Sequence, residues 1–198
     1  MHGLVNRAVE RFTRDTYGRE MWHGITQRLD LGFTEFEAML SYDDEITHEV
    51  LGELAVSLNK PMTEVLEDIG TYLVSHGNLE ALRRLLRFGG ADFVEFLHSL
   101  DDLPGRAQLA VPDLSLPTLE LEDHARDYYS LTVGPMAGGR IAFGAVMIGL
   151  LRAMADDYGA LVFLDHKGKR GMVEIIEVRL LDVAFASGRA FDLGAALR

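Results

Sequence analysis

Side chains that could bind a metal or act as acid–base catalysts are few and scattered in this chain. Glu45 with His48, or His48 with Glu49, would make a possible metal-binding pair on a helix. An acidic run with a single histidine at a helix start more often caps the helix and faces solvent than binds a metal. We therefore predict no metal there. We predict that the neighbouring carboxylates Asp101 and Asp102 are solvated in the same way.

Catalytic motifs are also missing. The glycines of residues 134–139 lack the spacing of a phosphate-binding loop, and no serine lies in a Gly-x-Ser-x-Gly elbow. The chain has no cysteine, which excludes disulfides, zinc–thiolate sites, iron–sulfur clusters and thiolate ligation of haem. We therefore predict that the chain is not an enzyme.

The charge of the chain argues against nucleic-acid binding. Its formal net charge is −12, whereas a duplex-binding protein needs a basic stripe that releases counterions. The densest basic run, residues 166–170, has the composition of a turn. Residues 1–7 lack the apolar core of a signal peptide, and no apolar run reaches the roughly 18 residues of a membrane span. These patterns predict a cytoplasmic protein without a membrane segment.

Hydrophobic periodicity divides the chain into a helical half and a half with strands. Apolar residues recur at helical spacing through the first hundred residues. The predicted helices begin at Leu4, near Glu20, at a cap formed by Asp43 or Asp44, after Pro61, near Leu79 and at Phe93. Pro104 should stop the last helix after Leu103, or kink it if the helix resumes over residues 106–109.

After Pro112 the pattern changes to short strands and one apolar helix. We predict two hairpins, one with strands 118–121 and 127–132 around a turn at 122–126, and one with strands 160–164 and 172–181 around a turn at 167–171. The apolar stretch 141–157 is predicted as a buried helix between them. The expected class is therefore α+β, with a helical N-terminal subdomain packed on an antiparallel-sheet C-terminal subdomain.

Four stretches, in this order and spacing, resemble the haem nitric oxide/oxygen-binding (H-NOX) family. They are residues 1–6 with Tyr17 and Gly18, residues 42–47, residues 96–103, and Tyr128-Tyr129-Ser130 with residues 148–153. The resemblance covers residues 1 to about 180, so we predict one domain over residues 1–182 and a C-terminal extension of unknown structure over 183–198.

The resemblance implies a stand-alone sensor rather than a catalyst. H-NOX domains hold haem b between a helical and a sheet subdomain, and a diatomic gas such as nitric oxide binds the iron. The resulting shift is passed to a signalling partner, a histidine kinase or a nucleotide cyclase.

The iron-ligating position of the family differs in this chain. The family has Leu-Asp-x-Leu-His, and this chain has Leu100-Asp101-Asp102-Leu103-Pro104. Proline has no side-chain donor and cannot bind iron. His98, which we consider as an alternative ligand, lies six residues upstream, which is about 9 Å along a helix and about 240° around it. It should therefore point to another face.

The propionate-binding pattern of the family, Tyr-x-Ser-x-Arg, is matched only in part. Tyr128 and Ser130 fit it, but Thr132 replaces the arginine that would pair with a carboxylate. Arg126 or Arg140 is an alternative source of the positive charge.

On the gas-binding side, we predict that the lining is apolar and offers no hydrogen-bond donor, which disfavours stable oxygen binding and favours nitric oxide or carbon monoxide. The predicted lining residues are Leu4, Val5, Val9, Met147 and Ile148.

Three hypotheses follow. The chain is a haem sensor with unusual ligation, a haem-free module that regulates a protein partner, or a binder of another apolar ligand in the same pocket.

Overall fold

The computed structural model describes residues 1–136 and 141–191, and the regular elements of residues 1–110 are helices joined by loops, the longest of which lies between residues 28 and 44. The helices are α1 (Gly3–Tyr17), α2 (Arg19–Arg28), α3 (Asp44–Leu58), α4 (Met62–Ser75), α5 (Glu80–Arg87), α6 (Phe93–His98) and α7 (Leu103–Ala110), with one 3₁₀ turn at Gly77–Leu79. The predicted start of α3 is confirmed, but the side chain of Asp43 makes no capping hydrogen bond. Asp44 instead forms an ion pair with the N-terminal amine of Met1, 2.6 Å away.

The C-terminal half contains a four-stranded antiparallel sheet and one long helix. The elements are β1 (Leu119–Ala125), β2 (Tyr128–Val133), α8 (Phe143–Tyr158), β3 (Leu161–Arg170) and β4 (Val173–Asp182). The strand order is β1-β2-β4-β3, so β1 and β3 are the edges. The predicted α+β class, with a helical half and an antiparallel sheet, is confirmed.

Helix α8 lies between α4 on one side and strands β3 and β4 on the other. It is apolar almost all round because both of these sides are covered. Two glycines let α4 and α8 come unusually close. A side chain on Gly70 would overlap the carbonyl oxygen of Val146, and one on Gly149 would overlap the carbonyl oxygen of Glu67.

The helix predicted from Phe93 to Leu103 is in fact two helices, so that prediction was wrong. Helix α6 ends at His98, and α7 begins at Leu103. Pro104 lies in the first turn of α7, where its missing N–H costs no hydrogen bond because the first backbone N–H groups of a helix have no intrahelical partner. The proline therefore starts a helix rather than ending one.

Both hairpins are longer than predicted. Strand β1 continues to Ala125, through residues predicted as a turn, and β3 continues to Arg170. These residues are polar because β1 and β3 are edge strands with solvent on one face. The pairing of β1 is irregular between Asp123 and Ala125, and that of β3 is irregular twice, between Leu161 and Val162 and between His166 and Lys169.

Residues 183–191 of the predicted extension return to the C-terminal end of α8. The backbone N–H of Ala186 donates to the carbonyl of Gly159 (3.0 Å), and that of Arg189 donates to the carbonyl of Asp157 (2.9 Å). The remainder, residues 192–198, lies outside the described residues. Among the described helices, none is long and apolar enough to span a membrane.

Candidate ligand-binding cavity

A cavity of about 280 Å³ lies where the helical subdomain meets α8 and the start of the sheet. Helix α1 contributes Leu4 and Val5, and α8 contributes Met147. The wall is completed by residues of α3, α4, α5 and α7, by the segment 111–117 and by β1. The remaining wall residues are Ala8, Val9, Thr47, Leu51, Leu66, Ile69, Leu73, Leu82, Leu85, Leu86, Leu103, Ala107, Ala110, Val111, Leu114, Leu116, Pro117, Leu119, Met136, Ile141, Phe143, Val146 and Leu150.

The wall is apolar except for one hydroxyl. Thr47 is the single polar side chain among the described wall residues, and its Oγ1 donates to Oδ1 of buried Asn6 over 2.6 Å. The described wall includes neither a charged side chain nor a histidine, tyrosine or arginine. A wall of this kind favours apolar molecules, because a polar group without a partner is costly to bury.

Leu4, Val5, Val9 and Met147, predicted from the sequence to line a pocket, all lie in this wall. Ile148, predicted with them, packs instead in the core between α8 and the sheet. The sequence analysis did not identify the contribution of α5. Leu82, Leu85 and Leu86 recur at helical spacing, and this stripe could have indicated that α5 lines the cavity. The same stripe fits ordinary core packing equally well.

Pro104 lies beside the cavity rather than in its wall. Its neighbours Leu103 and Ala107 on α7 line the cavity, whereas Pro104 is half-buried and does not. Residues adjacent in a helix differ by about 100° in direction. The helix that carries the family's iron ligand therefore presents only aliphatic carbon to the cavity.

His98 is at the surface, away from the cavity. Its side chain is 51% exposed and lies 3.8 Å from the carboxylate of Asp123. Its ring packs edge-on against Tyr129, with ring centres 6.0 Å apart. It is not among the cavity-lining residues, so the structure does not bring it to a bound ligand.

The three candidate propionate-binding residues of β2 lie on the outer face of the sheet. Tyr128 pairs with Arg179 of β4, whose guanidinium lies over the Tyr128 ring, 5.2 Å from its centre. A hydrogen bond to Glu177 raises the pKa of the Tyr128 phenol. Ser130 bonds to the ring of His124 (2.7 Å). Thr132 lies on the same face, between Glu120 and Ile175.

The inner face of β2 carries apolar side chains instead. Tyr129, Leu131 and Val133 are buried in the core between the sheet and α8. Burial raises the pKa of the Tyr129 phenol, whose hydroxyl donates to the carbonyl of Arg126 (2.8 Å). The Arg126 residue itself is exposed, and Arg140 lies outside the described residues. Among the described residues, therefore, neither face of β2 brings a positive charge to the cavity.

These residues do not fit a histidine-ligated haem with clamped propionates. Haem needs an axial donor for iron and partners for two carboxylates. The described wall offers no imidazole, phenol or cation. Its only soft donors are the thioethers of Met136 and Met147, and the described residues contain no cluster of three histidine or carboxylate side chains that could hold a metal.

Comparison with known proteins identifies related sequences. The family described as Haem-NO-binding matches residues 2–165. Soluble guanylate cyclase 89Db of Drosophila melanogaster is 20% identical over 161 residues, which are 81% of this chain and 24% of that protein. Soluble guanylate cyclase gcy-35 of Caenorhabditis elegans is 29% identical over 105 residues, which are 52% of this chain and 15% of that protein. The chain spans about a quarter or less of the length of these relatives.

Solved structures show the same fold. An Fe(II) unliganded H-NOX protein from K. algicida has a TM-score of 0.78 and 16% identity, with 92% of this chain and 97% of that chain covered. An H-NOX protein from S. oneidensis in the Fe(II) ligation state gives the same values. At this identity the likeness shows the fold alone, and it confirms the predicted H-NOX-like architecture.

Proposed function

The chain belongs to the Haem-NO-binding family, and from this membership we propose that it is a sensor domain whose ligand changes its shape and thereby regulates a signalling protein. The observation that carries the proposal is the cavity. Residues from both subdomains line it, so a molecule that enters touches α1, α3, α4, α5, α7 and α8 together. A ligand with different affinity for two arrangements of these helices would shift the population between them.

The C-terminal segment 183–191 is a candidate route for the signal. Arg83 of α5 donates to the carbonyl of Ala190 over 3.1 Å. Helix α5 also lines the cavity through Leu82, Leu85 and Leu86. Any movement of α5 on ligand binding would therefore act on the segment. The partner is of the nucleotide cyclase or histidine kinase type. Relatives of this chain that are named soluble guanylate cyclases support the first of these.

Haem bound through a thioether is a second candidate for the ligand. Met136 and Met147 are both buried in the wall, and methionine is a known axial ligand of haem iron. Haem b would supply an iron that binds a diatomic gas such as nitric oxide. The described wall has no cation that could pair with the two haem carboxylates, which favours the haem-free hypothesis.

Hydrogen–deuterium exchange tests the sensor proposal. The protein is compared with and without a saturating amount of a small neutral dye, 1-naphthylamine. A sensor should change exchange in residues 183–191 as well as in the wall, because α5 connects the two. Changes confined to the cavity wall would contradict the proposal and indicate a passive carrier.

A second readout uses a partner. A purified histidine kinase or nucleotide cyclase from the same organism is assayed with the dye-loaded and the dye-free protein. The proposal predicts at least a twofold difference between the two forms. The exposed-surface variant Ala81→Phe, on α5 but outside the wall, should preserve that difference.

A further inference from the structure

We propose that the cavity binds a small, uncharged, apolar molecule of about ten to twelve carbon atoms in the place where the family holds haem. This concerns the ligand alone. It rests on the proposed function only for what binding would do. If a ligand binds without any change in residues 183–191, this inference stands and the sensor proposal fails.

The size of the cavity sets the size of the ligand. An engineered apolar cavity of about 150 Å³ holds one benzene molecule. The cavity here, about 280 Å³, is nearly twice as large. By the same ratio it accepts on the order of a dozen carbon atoms.

The chemistry of the wall sets the polarity of the ligand. A buried carboxylate or ammonium without a partner is strongly disfavoured, and the described wall has no opposite charge to offer. Thr47 is the only described polar contact available. Its hydroxyl proton is donated to Asn6, but its oxygen can still accept one hydrogen bond. An alcohol is therefore acceptable, whereas an acid is not.

The cavity is partly open to solvent. Leu82 and Leu85 on α5, together with Val111, Leu114 and Leu116, line the cavity and are only half-buried. Ala110 beside them is exposed. A ligand that entered here would cover apolar surface that is now in contact with water, which contributes roughly 25 cal/mol per Å².

Haem conflicts with the same wall. Its two carboxylates would meet a described wall that has no cation, and the strand residue in that wall is Leu119 of β1. The buried side chains of β2, Tyr129, Leu131 and Val133, contribute nothing to the described wall. The chain therefore keeps the fold of a haem sensor but has a pocket suited to a hydrocarbon-like ligand.

Three matched probes test this inference. They are n-butylbenzene, 4-phenyl-1-butanol and 4-phenylbutanoate, which share a ten-carbon skeleton and differ in polarity and charge. Each is titrated against the protein loaded with the ten-carbon neutral dye 1-naphthylamine, and displacement is followed by dye fluorescence at pH 7. We expect both neutral probes to displace the dye and the anion to bind at least tenfold more weakly. Equal or tighter binding of the anion, or no displacement by any probe, would overturn the inference.

Methyl resonances locate the binding without any substitution. With ¹³C-methyl methionine labelling, n-butylbenzene should shift the signals of Met136 and Met147, which line the cavity. The exposed Met39 and Met172 serve as internal controls. Shifts confined to the exposed methionines would place the probe elsewhere and contradict the assignment.

A matched pair of variants confirms the location. Ala107→Phe places a ring in the wall of the cavity and should weaken n-butylbenzene binding at least tenfold. Ala81→Phe makes the same change at an exposed position outside the wall and should leave the affinity unchanged. Equal affinity in the two variants would contradict the inference, and the methyl shifts above decide the question if Ala107→Phe does not fold.

Discussion

The guanidinium of Arg83 donates to the carboxylate of Asp157 over 2.8 Å, and both side chains are at least 95% buried. Arg87 and Arg189 approach the same carboxylate at 3.6 and 3.8 Å. Burial lowers the pKa of Arg83, but the hydrogen bonds and charges of Asp157 and Glu80 together outweigh burial, so the pKa is raised. The pair joins α5, a wall of the cavity, to the end of α8 and to the segment 183–191.

Removing the charge of Asp157 should strongly destabilise the protein. Asp157→Asn leaves the guanidiniums of buried Arg83 and half-buried Arg87 without their shared counter-charge, so we expect a loss of about 3–5 kcal/mol in the free energy of unfolding. Urea unfolding at pH 7, followed by circular dichroism, measures it. The control Asp68→Asn removes an exposed ion pair with Lys60 and should cost under about 1 kcal/mol. Equal losses in the two variants would contradict the role given to Asp157.

The close approach of α4 and α8 predicts opposite effects for two glycine substitutions. In Gly149→Ala the new methyl group would overlap the backbone of Glu67, so the helices must separate, at a cost of roughly 1–3 kcal/mol. Gly52→Ala, in α3, meets only the methyl end of Met62 at 3.8 Å. It should stabilise the protein by about 0.5–1 kcal/mol through higher helix propensity. Thermal unfolding midpoints that move in the same direction would refute this difference.

Acid stability should depend on a hydrogen bond between two helices. The hydroxyl of Tyr72 donates to Asp15 over 2.6 Å, and this bond is the main cause of the lowered pKa of Asp15. Because the folded pKa lies below the reference value of 3.8, the stabilisation is present above that pH and is lost as the pH falls below it.

Tyr72→Phe removes the bond and should cost about 1–3 kcal/mol at neutral pH. As the pH falls from about 5 to about 2, the free energy of unfolding of the Tyr72→Phe variant should decrease less than that of the unsubstituted protein. Free energies of unfolding at several pH values measure both effects. Tyr17→Phe is the matched control, because that ring also packs edge-on against Phe12. An unchanged acid slope in Tyr72→Phe would rule out this source of pH dependence.

Restoring a histidine at the family's ligand position should not restore haem binding. In Pro104→His the new side chain starts from a position beside the cavity wall, and the described wall still has no cation for the carboxylates. We expect no Soret band at one haem per chain after addition of hemin. A sharp band in this variant would mean that the iron ligand is the only thing the site lacks.

Much of the fold follows from local pattern. The apolar stretch that became α8 predicted a buried helix because no face of it is polar, and the structure covers it on two sides. The pairing of Arg83 with Asp157 had no such signal, since the two residues are 74 positions apart and each alone resembles a surface charge.

The orientation of β2 shows a second limit. Tyr128, Ser130 and Thr132 alternate with Tyr129, Leu131 and Val133, and a strand can turn only one of these sets inward. The structure packs the second set in the core and places the first set on the opposite face of the sheet, where Ser130 is buried and hydrogen-bonded to His124. The apolar character of Leu131 and Val133 indicated that the second set faces the core. The partial match of the first set to the family's pattern suggested the opposite orientation.

The most direct test is a titration of the purified protein with hemin. Absorption is followed over the Soret region of protein-bound haem, at about 350–450 nm. The apolar wall predicts no saturable, sharp Soret band at one haem per chain, together with displacement of 1-naphthylamine by n-butylbenzene. A sharp band that saturates at one equivalent and is lost in Ala107→Phe would contradict the account and show that haem occupies this cavity.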